Sequence, residues 1–492
     1  MSRTIVRPAA AAALALAGAT LMSTPAGAQP SAAQPSAVRA ATITRAANTG
    51  TPGAAVPGAA VPVVAHPAWS RRAVVYEVNV RQYTPEGTFA AFQRHLPRLK
   101  ALGVDALWIM PVQPIGEKNR KGRLGSPYSV RDYRAVNPEF GTKADFVRLV
   151  DAAHRQGLKV ILDWVPNHTA FDHVWVAPHP DWYMHHPDGT IMNARDNDDH
   201  ETDWTDVAEL NYDNPAMRRA MIADMRYWLD TMKVDGFRCD VAGGVPEDFW
   251  RDARATLGAG RPGFFMLAEA EGPKYYDAFD MTYGWSFWDQ LAVVAKGKRP
   301  VASFDAYFAH ADSTLPADGY QMDFTTNHDK NSWDGTEFEV MGADAMPSYV
   351  LAATVARSVP MLYSGQEVSN KKRLRFFERD TIDWKGQSLA PFYRRVFDLK
   401  HSQAALESGA AGGPQRKLVT SDSAHVYAFT RTKGTNTVLV AVNYGDADAT
   451  VNYQGLDAAG GYTDWFGGKR STLGASGTLD VPAHGYRVLV RR

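Results

Sequence analysis

Eight strand-like apolar runs, separated mostly by helical patterns, dominate the sequence between about residues 74 and 363. Helical patterns cover 89–102, 142–157 and 217–232, and Thr142 opens the second with Asp145 near the capping-box position. Such alternation predicts a parallel sheet, and eight units over roughly 340 residues predict an α/β fold of the (β/α)8 TIM-barrel type. The eight runs are 74–80, 104–110, 158–163, 234–240, 263–269, 279–283, 319–325 and 359–363.

Two further segments depart from this alternation. The irregular stretch after the third run, about 169–211, is too long for a simple connection and predicts a small protruding B subdomain. From about residue 409 to 492, short strands with Gly, Asp and Asn turns predict a C-terminal all-β sandwich domain. The catalytic barrel is therefore expected at 67–408.

The N-terminal segment is typical of an export signal. Arg3 and Arg7 precede an Ala- and Leu-rich run, and Ala26-Gly27-Ala28 forms a cleavage pattern before Gln29. Residues 1–28 are therefore predicted to be a signal peptide, with an uncleaved anchor as the alternative. The Ala- and Pro-rich stretch 29–66 is predicted to be a disordered linker. We expect a secreted, extracellular protein without a membrane anchor.

Charge and cysteine content exclude some functions. The 53 basic side chains balance the 53 acidic ones, so no electrostatic footprint for nucleic acid is present. Cys239 is the only cysteine, so an internal disulfide is excluded. Aromatic residues form 11% of the chain, which fits either buried cores or stacking surfaces.

Polar side chains interrupt four of the apolar runs at their carboxyl ends, where a barrel of this type carries its chemistry. Carboxylates, two histidines and an arginine are therefore predicted to meet at one mouth. The strand-end sequences are Asp163-Trp164-Val165-Pro166-Asn167-His168, Gly236-Phe237-Arg238-Cys239-Asp240, Met266-Leu267-Ala268-Glu269 and Asn327-His328-Asp329.

Arg238 and Asp240 are two residues apart on a strand, so they should point to the same face. The guanidinium is then expected to lower the pKa of Asp240, while the apolar run before Glu269 raises the pKa of that acid. Cys239 should point into the helix layer as a small buried side chain. An ionised and a protonated carboxyl are the pair that a retaining glycosidase needs. Glu271 is a second candidate for the protonated acid. The alternative for all of these carboxyl groups is that they are ordinary polar residues at strand ends.

These strings resemble the short conserved regions of the α-amylase family of retaining α-glucosidases, amylases and glucanotransferases. Leu210-Asn211-Tyr212-Asp213-Asn214-Pro215 is similar to the stretch that closes the family's B domain. Gly125-Ser126-Pro127-Tyr128 is similar to the start of the loop after its second strand. The likeness spans about residue 73 to the C-terminus, in the family's order.

The resemblance implies that Asp240 is the nucleophile, Glu269 the acid and base, and Asp329 a third carboxylate that holds sugar hydroxyls. It further implies a subsite for the cleaved glucose, with Asp163 as a supporting carboxylate near Arg238. The substrate-binding residues implied in this way are Tyr128, His168, Arg238, His328 and Asp163.

The sequence also departs from the family pattern. Many starch-cleaving members carry Lys-His shortly after the nucleophile, whereas this chain has Val241-Ala242-Gly243-Gly244. Asn167 stands where a calcium ligand is found in such members. The acidic stretch 196–206 offers hard oxygen ligands for calcium, or is a solvated loop.

We therefore expect a secreted hydrolase of starch-like α-glucans or maltooligosaccharides, with possible calcium and no organic cofactor. A transglycosylase or glucanotransferase, or a maltooligosaccharide-specific α-glucosidase, on the same scaffold stays open. A non-catalytic carbohydrate-binding protein is a more distant alternative, and the sequence leaves the oligomeric state undetermined.

Overall fold

The structure, a computed structural model, describes residues 63–491. The predicted signal peptide and most of the predicted linker lie outside these residues. Within them, no helix is both long enough and apolar enough to cross a membrane.

A closed barrel of eight parallel strands forms the centre of the molecule. Each strand pairs with the next one along the chain, and the eighth closes on the first. The predicted eight-stranded barrel is therefore confirmed, and every predicted run overlaps one strand. The strands are β1 Val75–Val78, β2 Ala106–Ile109, β3 Lys159–Trp164, β4 Gly236–Cys239, β5 Phe265–Ala268, β6 Met281–Tyr283, β7 Tyr320–Asp323 and β8 Ser358–Tyr363.

Helices surround the barrel and bury their apolar faces against it. They are α1 Val80–Tyr83, α2 Phe89–Gln93, α3 Leu96–Leu102, α4 Lys143–Arg155, α5 Pro215–Asp230, α6 Glu247–Gly258, α7 Trp285–Ala295, α8 Phe304–Thr314, α9 Glu337–Met341, α10 Ala345–Thr354 and α11 Ala390–Ser402.

The single helix predicted over 89–102 is wrong, because the segment forms α2 and α3. Pro97 lies in the first turn of α3, where its missing N–H costs nothing, whereas it would break a continuous helix. The predicted start of α4 holds, since Thr142 and Asp145 cap each other's backbone N–H. Gly103 ends α3 in the left-handed conformation, φ 105°.

The irregular segment after β3 forms a small β excursion. His168–Ala170 pairs antiparallel with Val207–Glu209, and isolated bridges, such as Arg195 with Glu201, hold the chain between them. This B subdomain stands beside the carboxyl ends of β3 and β4, and it supplies one wall of the site described below.

The C-terminal strands form one continuous antiparallel sheet in the order β14-β13-β16-β11-β10-β9-β12-β15. All eight contribute side chains to one apolar cluster, so the sheet folds over its own small core. The opposite faces of β10, β11 and β16 join the main core of the barrel. The strands are β9 Gln415–Thr420, β10 Val426–Lys433, β11 Asn436–Asn443, β12 Ala449–Gln454, β13 Gly460–Asp464, β14 Arg470–Leu473, β15 Ser476–Val481 and β16 Gly485–Arg491.

Packing begins before residue 67, where the barrel domain was expected to start. The imidazole of His66 hydrogen-bonds Asp280 Oδ1 at 3.1 Å and the carbonyl of Asp318 at 2.7 Å, and it stacks on Tyr320. The local composition assigned His66 to the linker. Its contacts could not be seen in the local sequence, because the partners lie more than 200 residues away.

Candidate active site

The guanidinium of Arg238 joins three carboxyl groups at the carboxyl ends of β3, β4 and β5. Its Nη1 donates to Asp163 Oδ1 at 2.9 Å and to Asp240 Oδ1 at 2.7 Å, and its Nη2 lies 2.7 Å from Glu269 Oε1. Arg238 and Asp240 lie on the same face of β4, as the alternation of side chains along a strand predicted. Four side chains from three neighbouring strands therefore form one charged cluster.

Cys239 lies on the other face of β4 and is fully buried, so it packs as a small apolar side chain. Burial raises the pKa of its thiol. The structure thus agrees with the expectation that this residue stays outside the chemistry.

Glu269 is held against the residue that follows Asp240. The N–H of Val241 donates to Glu269 Oε2 at 2.9 Å. Val241 adopts φ 43° and ψ 45°, a left-handed conformation that β-branched residues rarely take. Backbone strain at this position accompanies the close approach of the two carboxyls.

Glu271, the rival for the acid, points elsewhere. Its carboxylate accepts both the N–H and the hydroxyl of Ser286, and thus caps the first turn of α7. Glu269, in contrast, belongs to the Arg238 cluster.

Burial is the largest influence on the pKa of each clustered carboxyl. It raises the pKa of Glu269 to about 8 and the pKa of Asp240 to about 6, although Arg238 lowers both. Arg238 lowers the pKa of Asp240 as expected, but desolvation outweighs the guanidinium, so the expected net lowering of this pKa is wrong. The order of the two pKa values is as expected, with Glu269 the weaker acid.

Tyr128 and His328 form a second wall of the site. The hydroxyl of Tyr128 bonds Asp163 Oδ2 at 3.0 Å and His328 Nε2 at 2.8 Å, and the two rings lie nearly parallel, with centroids 5.5 Å apart. His328 Nε2 is also 3.3 Å from Asp329 Oδ2. This wall brings the predicted residues of β7 and of the loop after β2 together with the Arg238 cluster.

Glu77, at the end of β1, completes this wall. His328 Nδ1 bonds Glu77 Oε1 at 2.5 Å. Burial alone would lower the pKa of His328, but the carboxylates of Asp329 and Glu77 outweigh it and raise the pKa to about 9. His328 is therefore a cation at neutral pH, which donates from both ring nitrogens.

His168 faces the cluster from the subdomain side. Its Nε2 is 3.8 Å from Asp240 Oδ2, beyond hydrogen-bond distance, and burial lowers its pKa to about 3. A neutral His168 can donate to a ligand without adding charge to the site. Trp204 of the B subdomain packs edge-on against it, with centroids 6.0 Å apart.

Asp163 and Arg238 lie beneath the site and do not line it. Both side chains have 0% exposure, and Asp163 also accepts from Trp108 Nε1 at 3.0 Å. Arg238 Nε donates to the hydroxyl of Tyr283 at 3.1 Å. Their assignment as substrate-binding residues is therefore corrected, because every polar group of the pair faces protein. The two residues instead position Asp240 and Glu269.

Sequence reasoning missed Glu77, Trp108 and Tyr283, which hold the cluster from β1, β2 and β6. A lone acid inside the apolar run Val74-Val75-Tyr76-Glu77-Val78 was the available signal for the first. Phe376, from the loop after β8, was missed as well. Its half-buried ring lies nearly parallel to Tyr128 at 6.1 Å and extends the aromatic wall outward.

Asn167 lies where a cation ligand was expected, under the B subdomain. Its Nδ2 donates to the carbonyl of Arg195 at 2.8 Å, while its buried Oδ1 has no hydrogen-bond partner among the described residues. Much of the acidic stretch is engaged elsewhere: Asp199 pairs with Arg195, and Asp206 lies 3.5 Å from Lys121. Over residues 63–491, no group of three or more His, Cys, Asp or Glu is placed to hold a metal ion.

A model of the α-amylase catalytic domain matches residues 77–450 of the chain. This protein belongs to the α-amylase family. The enzymes of the family act on α-glucosidic bonds.

Among its relatives, the chain is 30% identical over 444 residues to the α-amylase MalA of Haloarcula japonica. The match covers 84% of this chain and 61% of that protein, so the chain spans about three fifths of this relative's length. A trehalose synthase/amylase, TreS of Mycolicibacterium smegmatis, is 34% identical over 251 residues, which cover 41% of this chain and 40% of that protein.

The crystal structure of an α-amylase from Lactobacillus plantarum has the same fold. It superposes with a TM-score of 0.76 and 31% identity, covering 86% of this chain and 99% of that one. The likeness therefore includes both the barrel and the C-terminal sheet.

Proposed function

We propose that the protein is a secreted hydrolase of starch-like α-glucans that acts with retention through a covalent glycosyl–Asp240 intermediate. The observation that carries this proposal is that one guanidinium, that of Arg238, binds both Asp240 and Glu269. Two carboxyls held together in this way suit the short separation of retaining glycosidases, about 5–5.5 Å, and not the wider inverting arrangement.

In the first step, the ionised Asp240 attacks the anomeric carbon while the protonated Glu269 gives its proton to the departing glycosidic oxygen. The pKa of Glu269, about 8, keeps this acid protonated at neutral pH. Asp240, with a pKa of about 6, is ionised there. In the second step, Glu269 takes a proton from water, the oxygen attacks the anomeric carbon, and the bond to Asp240 breaks.

The remaining predicted residues serve binding. We assign the face of the sugar ring to Tyr128 and its hydroxyls to Asp329, His328 and neutral His168. The positive charge of His328 strengthens its hydrogen bonds to a ligand.

Release of reducing ends from soluble starch tests the proposal. The wild type should release them, with the α-anomer appearing first by NMR. Asp240→Asn should lower turnover about 10⁴-fold while it keeps the fold. A variant that retained more than about a tenth of wild-type turnover would reject Asp240 as nucleophile, and starch binding without turnover by the wild type would favour a carbohydrate-binding protein.

Transfer is the second candidate activity, because a sugar hydroxyl can replace water in the second step. The relative TreS, whose name gives both a trehalose synthase and an amylase, supports transfer as a second candidate activity. Product profiles on maltooligosaccharides, pullulan and cyclodextrins separate the outcomes: shorter products indicate hydrolysis or a maltooligosaccharide-specific α-glucosidase, whereas longer or cyclic ones indicate transfer.

We further propose export with cleavage between Ala28 and Gln29, supported by the basic start and the apolar run of the N-terminal segment. N-terminal sequencing of the protein from a culture medium should begin at Gln29. Recovery of the whole product in the cell pellet would contradict export.

Calcium is proposed only as a stabilising tie between the B subdomain and the barrel. Its support is the Oδ1 of Asn167, which has no hydrogen-bond partner among the described residues. This oxygen and the carbonyl oxygen of Asp196 both lie close to Gly244. Bound at a hundredfold excess over its dissociation constant, the cation would add about 2.7 kcal/mol to the free energy of unfolding. Chelation should lower Tm and added calcium restore it, and an unchanged Tm would reject the site.

A further inference from the structure

The segment that follows Asp240 offers a ligand no polar side chain of its own. Val241 and Ala242 are buried and apolar, and Gly243 and Gly244 have no side chain. Yet this segment borders the acid, because the N–H of Val241 donates to Glu269. The leaving sugar departs on the side of the acid, so recognition of that sugar needs a polar group from another element.

Asn197 of the B subdomain occupies the space that a side chain at position 243 would take. A Cβ on Gly243 would lie 2.5 Å from Asn197 Oδ1, 2.8 Å from its Cγ and 3.0 Å from its Cβ. The amide of Asn197 therefore reaches across the segment after Asp240, and the absence of a side chain at 243 permits this approach. Asn197 is an exposed residue.

The loop that carries Asn197 is braced by its own hydrogen bonds. Asp196 Oδ1 accepts the N–H groups of Asp198 at 2.9 Å and His200 at 3.0 Å, and Arg195 bridges to Glu201 across the base of the loop. Asn197 thus lies on a braced turn, and this limits the conformational entropy that the loop backbone loses when a ligand binds.

We propose that the Asn197 amide binds hydroxyls of the leaving-side sugar, the unit that departs in the first step and enters as acceptor when a sugar replaces water. An amide presents both donors and an acceptor, which suits adjacent hydroxyls of a glucose unit. The inference rests on the proposed function and extends it to the residue that selects which sugar departs as the intermediate forms and which one attacks the intermediate. Asn197 is a binding residue in this scheme and takes no part in proton transfer.

Two substrates, one with and one without a sugar on the leaving side, separate this role from a structural one. Maltopentaose has a sugar on the leaving side, whereas α-maltosyl fluoride has none. For Asn197→Ala, kcat/KM for maltopentaose should fall about fivefold, as expected for one neutral hydrogen bond, while that for the fluoride stays unchanged. Gly243→Ala, whose new Cβ would displace the amide, should give the same pattern.

His200→Ala, an exposed change in the same loop that keeps the backbone hydrogen bonds, serves as the matched control and should alter neither substrate. Equal losses on both substrates, or no loss on either, in Asn197→Ala would overturn the inference while the proposed function stands. A wild-type enzyme inactive on both substrates would overturn the proposed function and the inference with it.

Discussion

Arg238 is the residue on which the geometry of the site depends most. A lysine has one compact charge and cannot hold Asp163, Asp240 and Glu269 at once as the planar guanidinium does. We predict that Arg238→Lys lowers kcat by about 10²-fold, the scale for one misplaced catalytic group.

Arg238 lowers the pKa of both Asp240 and Glu269. Because the ammonium of a lysine keeps the charge but cannot reach both acids at once, the same variant should lose part of this lowering and shift the pH profile of kcat/KM to higher pH. Arg254→Lys, which changes a buried pair with Asp280, is the control and should affect Tm without moving the profile. An unshifted profile in Arg238→Lys would show that the guanidinium does not tune these acids.

The pH dependence of the wild type follows from the two catalytic carboxyls. Asp240 must be ionised, so activity is lost as the pH falls through its pKa of about 6. Glu269 must be protonated, so activity is lost as the pH rises through its pKa of about 8. We predict a bell-shaped kcat/KM with its maximum between these values, and a maximum below pH 5 would contradict the burial of Asp240.

Most of this site could be predicted, because Asp, Glu, His and Arg residues that interrupt the ends of apolar runs can be recognised directly in the sequence. The strand face on which a side chain lies could be predicted only where the two-residue alternation of a β-strand applied, as for Arg238 and Asp240. Depth of burial was not visible, so the net direction of the Asp240 pKa shift was wrong and Arg238 was expected to line the sugar subsite. Asn197 and Phe376 lie on irregular loops, where no pattern indicates position.

Among the elements, α4 offers a direct test of how local sequence stabilises the barrel. Thr142 accepts from the N–H of Asp145 at 3.2 Å, and the carboxylate of Asp145 accepts the N–H of Thr142 at 2.8 Å. Thr142→Ala should lower the free energy of unfolding by about 1 kcal/mol, measured by urea denaturation. Thr142→Ser keeps the capping oxygen and should change it little; equal losses in both variants would show that the cap contributes nothing.

The elements also show where sequence patterns suffice. Each of the eight barrel strands overlaps a predicted apolar run, because strands buried on both faces are continuously apolar. Six of the eight predicted runs were longer than their strands, since apolar residues continue into buried loops. The break between α2 and α3 was missed, although Pro97 was the signal for it.

At the scale of the whole molecule, the C-terminal sheet shares its core with the barrel. Arg431 of β10 is fully buried and donates to the carbonyls of Val355 at 2.8 Å and Glu407 at 2.9 Å. Arg431→Met should lower the free energy of unfolding by several kcal/mol, since each buried carbonyl left without a donor costs about 1–3 kcal/mol.

Calorimetry should show this as a lower Tm within a single transition for the barrel and the sheet together. Arg416→Met, on the exposed part of β9, is the control and should have little effect. Two separate transitions in the wild type would contradict a shared core. Sequence predicted the all-β region, but the contact with the barrel depends on side chains far apart in the chain.

The glycosyl–Asp240 intermediate is tested most directly by trapping it in Glu269→Gln. Fluoride departs from α-maltosyl fluoride without an acid, whereas hydrolysis of the intermediate needs the missing base, so the sugar should accumulate on the protein. Mass spectrometry should show one added maltosyl group, located by peptide mapping on Asp240 and released by azide. An adduct on another residue, or accumulation in Glu271→Gln and not in Glu269→Gln, would contradict the account.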